Sequence, residues 1–402
     1  MPDNTGVLAE KEDALKRRTL SFENVLRKIM QTKIYGTIGP ACCDTDTLVR
    51  LFEKGMTGVR INLSHSNLKE AEAWLFNIKK AWQVVHAGDC AKDFDKQQKS
   101  ADEKQVSSSG RDASMQPEIL MDLQGPELRI GKLAMPRELQ ESDKLTLMAD
   151  GQNNLFDPTE IPVPAMIMPY LLPGQQVLID DGKLLLEVEE LLANNYAECR
   201  VIRGGVLKGG KSIALPGTAF YPPTLTGSDI KNIKDAKKYG ITGVMLPFVR
   251  GKEDLINLKA ALKDAEAEEI SIFAKIESMD GVNKLSELLP FCDEIVIARG
   301  DLGNAMPLWQ LPVVQAKIAE CCRAAETPFM VVTQMLASME QAAVPTRAEV
   351  SDIFRAIDEG TSSVMLTGET AAGKYPVEAM EYMVNTVREA EAYRCEKEQK
   401  LF

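Results

Sequence analysis

The stretch SIFAKIESMDGVNKLSELLPFCDEIVIARGDLG, residues 271–303, decides the fold. It opens on a short apolar run, 271–277, and closes on another, 294–302, with a helical pattern over 281–289 between them. Neither run alternates apolar with polar residues. Continuous apolar runs fit strands buried on both faces, and the strand–helix–strand order makes a parallel pair.

The same unit recurs on both sides of this stretch. Further runs are KIYGTIG (33–39), GVRINLS (58–64), EILMDL (118–123), GVMLPFV (243–249), PFMVVTQM (328–335) and SVMLTG (363–368). Helical patterns lie between most of them, at 46–54, 68–85, 229–239, 253–265, 315–325, 347–359 and 376–391. Eight strands, each with a helix to follow, predict an α/β fold of the (β/α)8 TIM-barrel type over residues 31–129 and 216–395. An open doubly wound sheet is the competitor, but it usually has fewer strands.

The repeat breaks once. QQVLID (175–180), GKLLLEVEE (182–190), YAECRVIRGG (196–205) and KSIALPG (211–217) have β character with Gly and Pro between them. Residues 130–215 are therefore expected to form a small all-β lid domain after the third barrel strand. Residues 88–116, polar and nearly free of large apolar groups, read as a mobile loop. Residues 1–30 read as an N-terminal helical segment, from Leu15, Leu20, Phe22, Val25, Leu26 and Ile29.

Composition narrows the function classes. With 402 residues, 45% hydrophobic and 26% charged, the chain can bury a large core. A net charge of −12 argues against non-specific nucleic-acid binding. No membrane span is expected, because the uncharged run 161–179 carries Pro162, Pro164, Pro169 and Pro173. The polar start and eight cysteines without a CxxC pair predict a cytoplasmic protein with reduced thiols. The two histidines, His65 and His86, leave few candidates for a histidine base.

In such a barrel, chemistry sits at the C-terminal strand ends. Lys275 and Glu277, two apart on a strand, face the same side. With Asp301 from the next strand, Glu277 could hold Mg²⁺, and Lys275 suits a migrating phosphoryl group or an enolate. From the spacing alone, a plain Lys–Glu ion pair at a strand end is the better fit. Arg60, Asn62 and Ser64 share one strand face. The oxygens of Asn62 and Ser64 with Asp122 suit a monovalent cation and Arg60 suits phosphate, while a hydrogen-bonded turn is the plain alternative for Asn62 and Ser64. Glycines in Arg299–Gly303 let backbone N–H groups approach an anion, or simply end a strand.

At these residues the sequence resembles pyruvate kinase. TIGPAC (37–42), GVRINLSHS (58–66), MDLQGPELRIG (121–131), IDDGKL (179–184), KSIALPG (211–217), AKIES (274–278), ARGDLG (298–303), VVTQMLASM (331–339), PTRAEVSD (345–352) and VMLTGETAAGKYP (364–376) stand in family order. The resemblance implies transfer of a phosphoryl group from phosphoenolpyruvate to ADP, giving pyruvate and ATP. It implies Mg²⁺ (or Mn²⁺) on Glu277 and Asp301, and K⁺ on Asn62, Ser64, Asp122 and the carbonyl of Leu123. Glu127 matches the residue type linked to K⁺ dependence. Lys275, Thr333 and Arg60 would be catalytic, Thr333 being linked to enolate protonation. Gly300 and Asp301 would receive the substrate carboxylate. Thr37, Pro40, Asn62, His65, Arg129, Asp181 and Lys211 would line the nucleotide side.

Two residues depart from the family pattern: Gln124 replaces a usual lysine, and Pro247 replaces a serine beside Phe248. Both sit near the site, where a departure could lower activity, which keeps a weakened paralogue that senses or scaffolds as an alternative. A Mg-dependent lyase of the same barrel type is a second. The chain stops at Phe402, so the resemblance implies no C-terminal regulatory domain and no sugar-phosphate control, and leaves a homo-oligomer open.

Overall fold

The computed structural model describes residues 32–64, 66–99, 116–126, 128–150, 159–180, 182–192, 196–218 and 223–399, with side chains except at 88–99 and 398–399. The expected N-terminal helical segment lies outside them, as do His65, Glu127 and Asp181.

The chain begins with β1 (Lys33–Thr37), β2 (Gly58–Asn62) and β3 (Glu118–Asp122). It then leaves for β4 (Arg137–Leu139), β5 (Lys144–Ala149), β6 (Glu160–Val163), β7 (Gln176–Ile179), β8 (Leu184–Leu192), β9 (Tyr196–Arg203), β10 (Gly205–Leu207) and β11 (Ile213–Ala214). It returns through β12 (Gly243–Leu246), β13 (Ser271–Ile276), β14 (Glu294–Ala298), β15 (Phe329–Val332) and β16 (Ser363–Leu366). β1–β3 and β12–β16 form a closed barrel in sequence order, and every neighbouring pair is parallel. β16 closes on β1, from Lys33 beside Ser363 to Gly36 beside Leu366. This is the expected (β/α)8 architecture.

Two apolar layers hold it. Outside, strand residues such as Ile61, Ile119, Val244 and Ile297 pack against the helices. Inside, Tyr35, Leu120, Met245, Phe273, Val296, Met330 and Met365 fill the barrel. Side chains alternate along a strand, so the next inward positions on β1, β3 and β13 are Thr37, Asp122 and Lys275. The sequence thus stacks a polar layer directly on an apolar floor.

The insertion has its own core, including Leu147, Ile161, Val177, Leu186, Cys199 and Val201. Its strands make a six-stranded sheet, ordered β11-β7-β8-β9-β5-β6, and a two-stranded ribbon of β10 and β4. The neck is zipped shut: Ile130 N–H donates to Lys211 O and Ile213 N–H to Leu128 O, both at 2.9 Å.

Three local readings change. The helix Glu72–Lys99 runs through 88–99, where a loop was expected. After Gly88 that stretch holds no Gly or Pro, and its Ala, Lys and Gln are good helix formers. The rest of the expected loop, 100–115, is not described. β14 stops at Ala298, and Arg299–Asn304 is a short helix rather than strand. The expected helix 281–289 is broken into Met279–Asn283 and Leu285–Leu288. Among the described residues no helix is long and apolar enough to cross a membrane.

Candidate active site

Four charged side chains meet on the apolar floor. Arg60 Nε donates to Asp122 Oδ2 at 2.9 Å, and its Nη2 reaches the same oxygen. Arg60 Nη1 donates to Thr37 Oγ1 at 3.2 Å, while the Thr37 hydroxyl donates to the Leu366 carbonyl. Lys275 Nζ lies 3.3 Å from both oxygens of Asp122 and 2.8 Å from Glu277 Oε1. The register explains the meeting, because Arg60 lies beside Thr37 on β1 and Leu120 on β3.

Burial sets the electrostatics. Desolvation pushes the Asp122 carboxyl up, but the charges of Lys275 and Arg60 outweigh it and hold the group below the usual carboxylate range. Burial pushes the Lys275 ammonium down, and Asp122 and Glu277 more than reverse that. The cluster sets two basic side chains against two carboxylates. An anionic ligand that displaced Asp122 from Lys275 or Arg60 would find two fixed positive charges.

Glu277 is divided between two tasks. Its Oε2 accepts the Phe248 backbone N–H at 2.7 Å. Its Oε1 is buried and, among the described residues, receives no well-directed hydrogen bond besides the ion contact with Lys275. Ile276 lies beside Ile297, so Glu277 and the exposed Asp301 rise from neighbouring strand ends. A buried carboxylate oxygen and an exposed carboxylate on neighbouring strand ends are the donor types that suit a hard divalent cation taking its other ligands from substrate and water. Among the described residues no three His, Cys, Asp or Glu converge.

At the end of β15, Thr333 and Gln334 have φ of +69° and +54°. For a β-branched residue this conformation costs about 1–3 kcal/mol. Arg299 pins it, donating Nη2 to the Thr333 carbonyl at 2.9 Å and Nη1 to Asp352 at 2.5 Å. The Thr333 hydroxyl accepts Gly300 N–H at 2.8 Å and donates to the Val332 carbonyl at 2.6 Å.

The remaining expected residues divide. Asn62 lies beside Asp122, and its Oδ1 accepts Ser64 N–H at 3.0 Å in a local turn. The Asp122 carboxylate, however, sits on the two cations rather than on this turn. Leu123 donates its N–H to the Met245 carbonyl. Pro40 is exposed, next to the loop contact of Ala41 N–H with the Ala371 carbonyl. At the lid neck Arg129 Nη1 donates to Gly210 O at 2.9 Å, and Lys211 Nζ pairs with Asp180 Oδ1 at 2.8 Å.

Asp180, Asp229 and the Phe248 amide were not singled out from sequence. Asp180 and Asp181 are adjacent and equivalent in a bare motif. Asp229 caps the helix Gly227–Tyr239 with Thr226, so its Thr-x-x-Asp spacing was legible as a helix start. Its second role, accepting Gln124 N–H at 2.9 Å and Gly125 N–H at 3.2 Å, spans over a hundred residues and leaves no local signal.

The family described as "Pyruvate kinase, barrel domain" matches residues 29–380. A pyruvate kinase of Thermococcus litoralis is 35% identical over 366 residues, 90% of this chain and 70% of that protein. Pyruvate kinases of Bacillus licheniformis and Geobacillus stearothermophilus are 33% and 34% identical, over 90% and 88% of this chain. The chain spans only 57% and 56% of the length of those two relatives.

Proposed function

The chain belongs to the pyruvate kinase family, and from the charged cluster at its barrel mouth we propose that it transfers the phosphoryl group of phosphoenolpyruvate to ADP. The P–O bond to the enol oxygen breaks and a bond to the terminal ADP oxygen forms. The enolate left behind takes a proton at its methylene carbon, giving pyruvate and ATP.

Arg60 and Lys275 supply fixed positive charge for the phosphoryl group as it moves, and Lys275 also for the enolate oxygen. Such a transfer rests on positioning and electrostatics rather than on covalent help from the protein. The Gly300 and Asp301 N–H groups receive the substrate carboxylate. For Gly300 this replaces the present bond to Thr333 Oγ1, freeing that hydroxyl to pass a proton to the enolate. Lys211 and Arg129, with Thr37, Pro40, Asn62, His65 and Asp181, form the nucleotide side.

Glu277 and Asp301 would hold Mg²⁺ or Mn²⁺, which neutralises phosphoryl charge when bound. Asn62, Ser64, Asp122 and the Leu123 carbonyl would hold K⁺ once the phosphate has drawn Arg60 and Lys275 off Asp122. The observation that carries the reading is Lys275 between Asp122 and Glu277 on the barrel floor.

The test is pyruvate release from phosphoenolpyruvate and ADP, with and without Mg²⁺ and K⁺, against Lys275→Met. Turnover confined to the unaltered chain is expected. Turnover no higher than that of Lys275→Met would overturn the proposal.

A further inference from the structure

We propose that Pro247 is a positioning residue, whose ring, seated on Gly125, fixes the Phe248 amide on Glu277 Oε2 and so turns Oε1, the oxygen facing Lys275, toward a divalent ion. The inference rests on the reading that Glu277 holds that ion.

Asp229 is fully buried and capped onto its own helix by Thr226, whose N–H and hydroxyl donate to it at 2.8 and 2.7 Å. The same carboxylate grips the backbone N–H groups of Gln124 and Gly125. The turn after β3 is thereby tied to a rigid helix start. Gln124 takes part through its backbone, so its side-chain identity does not enter.

Gly125 has φ of +60°, and a Cβ placed on it would lie 2.5 Å from Cγ of Pro247 and 3.4 Å from Cδ2 of Phe248. Only a bare Cα permits that approach. Pro247 is buried and, lacking an N–H, ends the β12 ladder at Leu246. Phe248 follows with φ of +54°, a conformation that a bulky residue avoids unless its surroundings impose it. In that conformation its N–H points at Glu277 Oε2, 2.7 Å away. With Oε2 occupied, Oε1, 2.8 Å from Lys275 Nζ, is the oxygen that would meet a divalent ion. Without the ring on Gly125, Phe248 relaxes toward negative φ, its amide turns away, and Glu277 is no longer held. Groups that orient a metal-binding carboxylate typically change metal affinity by about 10- to 100-fold when altered.

The experiment titrates Mn²⁺ into the full chain without substrates, following free Mn²⁺ by electron paramagnetic resonance. Unaltered chain, Glu277→Gln, Pro247→Ala and Pro247→Val are compared. Glu277→Gln is expected to abolish tight binding. Pro247→Ala is expected to weaken it about tenfold, and excess metal should restore its kcat. Pro247→Val keeps apolar bulk on Gly125 and should lose clearly less affinity than Pro247→Ala. Unchanged affinity in Pro247→Ala beside loss in Glu277→Gln overturns the positioning role alone. A valine variant as weak as the alanine variant also overturns it. Unchanged affinity in Glu277→Gln overturns the underlying reading of the site instead.

Discussion

Lys275 Nζ stands 3.3 Å from both oxygens of Asp122, a fully buried carboxylate that Arg60 also grips. The pair joins β13 to β3 across the barrel interior, so the residue proposed to drive catalysis also balances buried charge. Removing one partner of a buried pair leaves the other uncompensated, at about 3–5 kcal/mol. Here Arg60 remains on Asp122, so Lys275→Met should cost the lower end, about 3 kcal/mol in urea unfolding. Turnover should fall at least about 10²- to 10³-fold. The double variant Lys275→Met/Asp122→Asn should recover part of the stability and none of the turnover. Stability losses that simply add would show that the two groups are not coupled.

Asp122 also sets an acid limit. Burial raises its carboxyl, and Lys275 and Arg60 lower it further than burial raises it, so its folded-state pKa lies below the ordinary value of 3.8. A depressed pKa gives stability that is present above the unfolded value and is lost as pH falls through the folded one. The unfolding free energy should therefore be insensitive to Asp122 at neutral pH and drop steeply only below about pH 4. Asp122→Asn should flatten that acid limb in urea titrations across pH. An unchanged limb would remove Asp122 from the acid response.

Glu294 has the opposite sign. It lies at the other end of the barrel, accepting the Ser362 and Ser363 hydroxyls on Oε1 at 2.8 and 2.5 Å. Burial raises its carboxyl, the serines and Lys33 oppose this, and Glu118 adds to it; the net shift is upward from 4.5. A raised pKa gives stability that is complete below the unfolded value and is lost as pH rises through the folded one. Glu294→Gln keeps an oxygen for both serines and removes the charge. It should raise Tm at pH 7 and lose that advantage near pH 4. A variant less stable at pH 7 would contradict the assigned shift.

Much of this was legible in the chain because strand burial writes itself locally. The eight apolar runs each became a barrel strand, and the β-rich insert became a separately cored sheet. Lys275 and Glu277 were readable together because two residues apart on a strand share a face. What escaped was set by backbone geometry and by distant pairing. The run at 294–302 does not show that Ala298 ends the strand and that Asp301 rides a short helix. Gly125 and Pro247 look like a turn glycine and a strand breaker, and only their contact across β3 and β12 shows why both are needed. The contact of Asp122 with Arg60 is a side-chain contact between β3 and β2, absent from either segment alone.

Thr333 offers a separation of two chemical steps. Its hydroxyl is held by Gly300 N–H and the Val332 carbonyl, and the proposed proton delivery needs that hydroxyl. Thr333→Ala should slow enolate protonation more than phosphoryl transfer. Proton delivery by a placed group contributes about 10²- to 10⁴-fold. Exchange of pyruvate methyl hydrogens with deuterated solvent, followed by proton NMR, should fall by at least about 10²-fold. Thr333→Ser, which keeps the hydroxyl, should retain most of the exchange. Equal loss in both variants would assign the effect to the strained backbone instead.

At the lid neck, Lys211 pairs with Asp180 at 2.8 Å, and the lysine side chain is 35% exposed. Burial raises the Asp180 carboxyl, and hydrogen bonds from Lys211 and Lys183 hold it lower than its ordinary value. A partly exposed pair of this kind contributes only about 0–1 kcal/mol to stability. Its worth lies in keeping an ammonium in place beside the zipped neck of Ile130 and Ile213. Lys211→Ala should leave Tm nearly unchanged, because the neck's backbone bonds remain. If Lys211 serves the nucleotide side as proposed, the variant should raise KM for ADP about tenfold, equivalent to one charge-assisted hydrogen bond of about 1.5 kcal/mol. KM for phosphoenolpyruvate should hardly move. A change confined to phosphoenolpyruvate would place Lys211 on the wrong side of the site. A fall in Tm matching the loss of turnover would make it a structural residue.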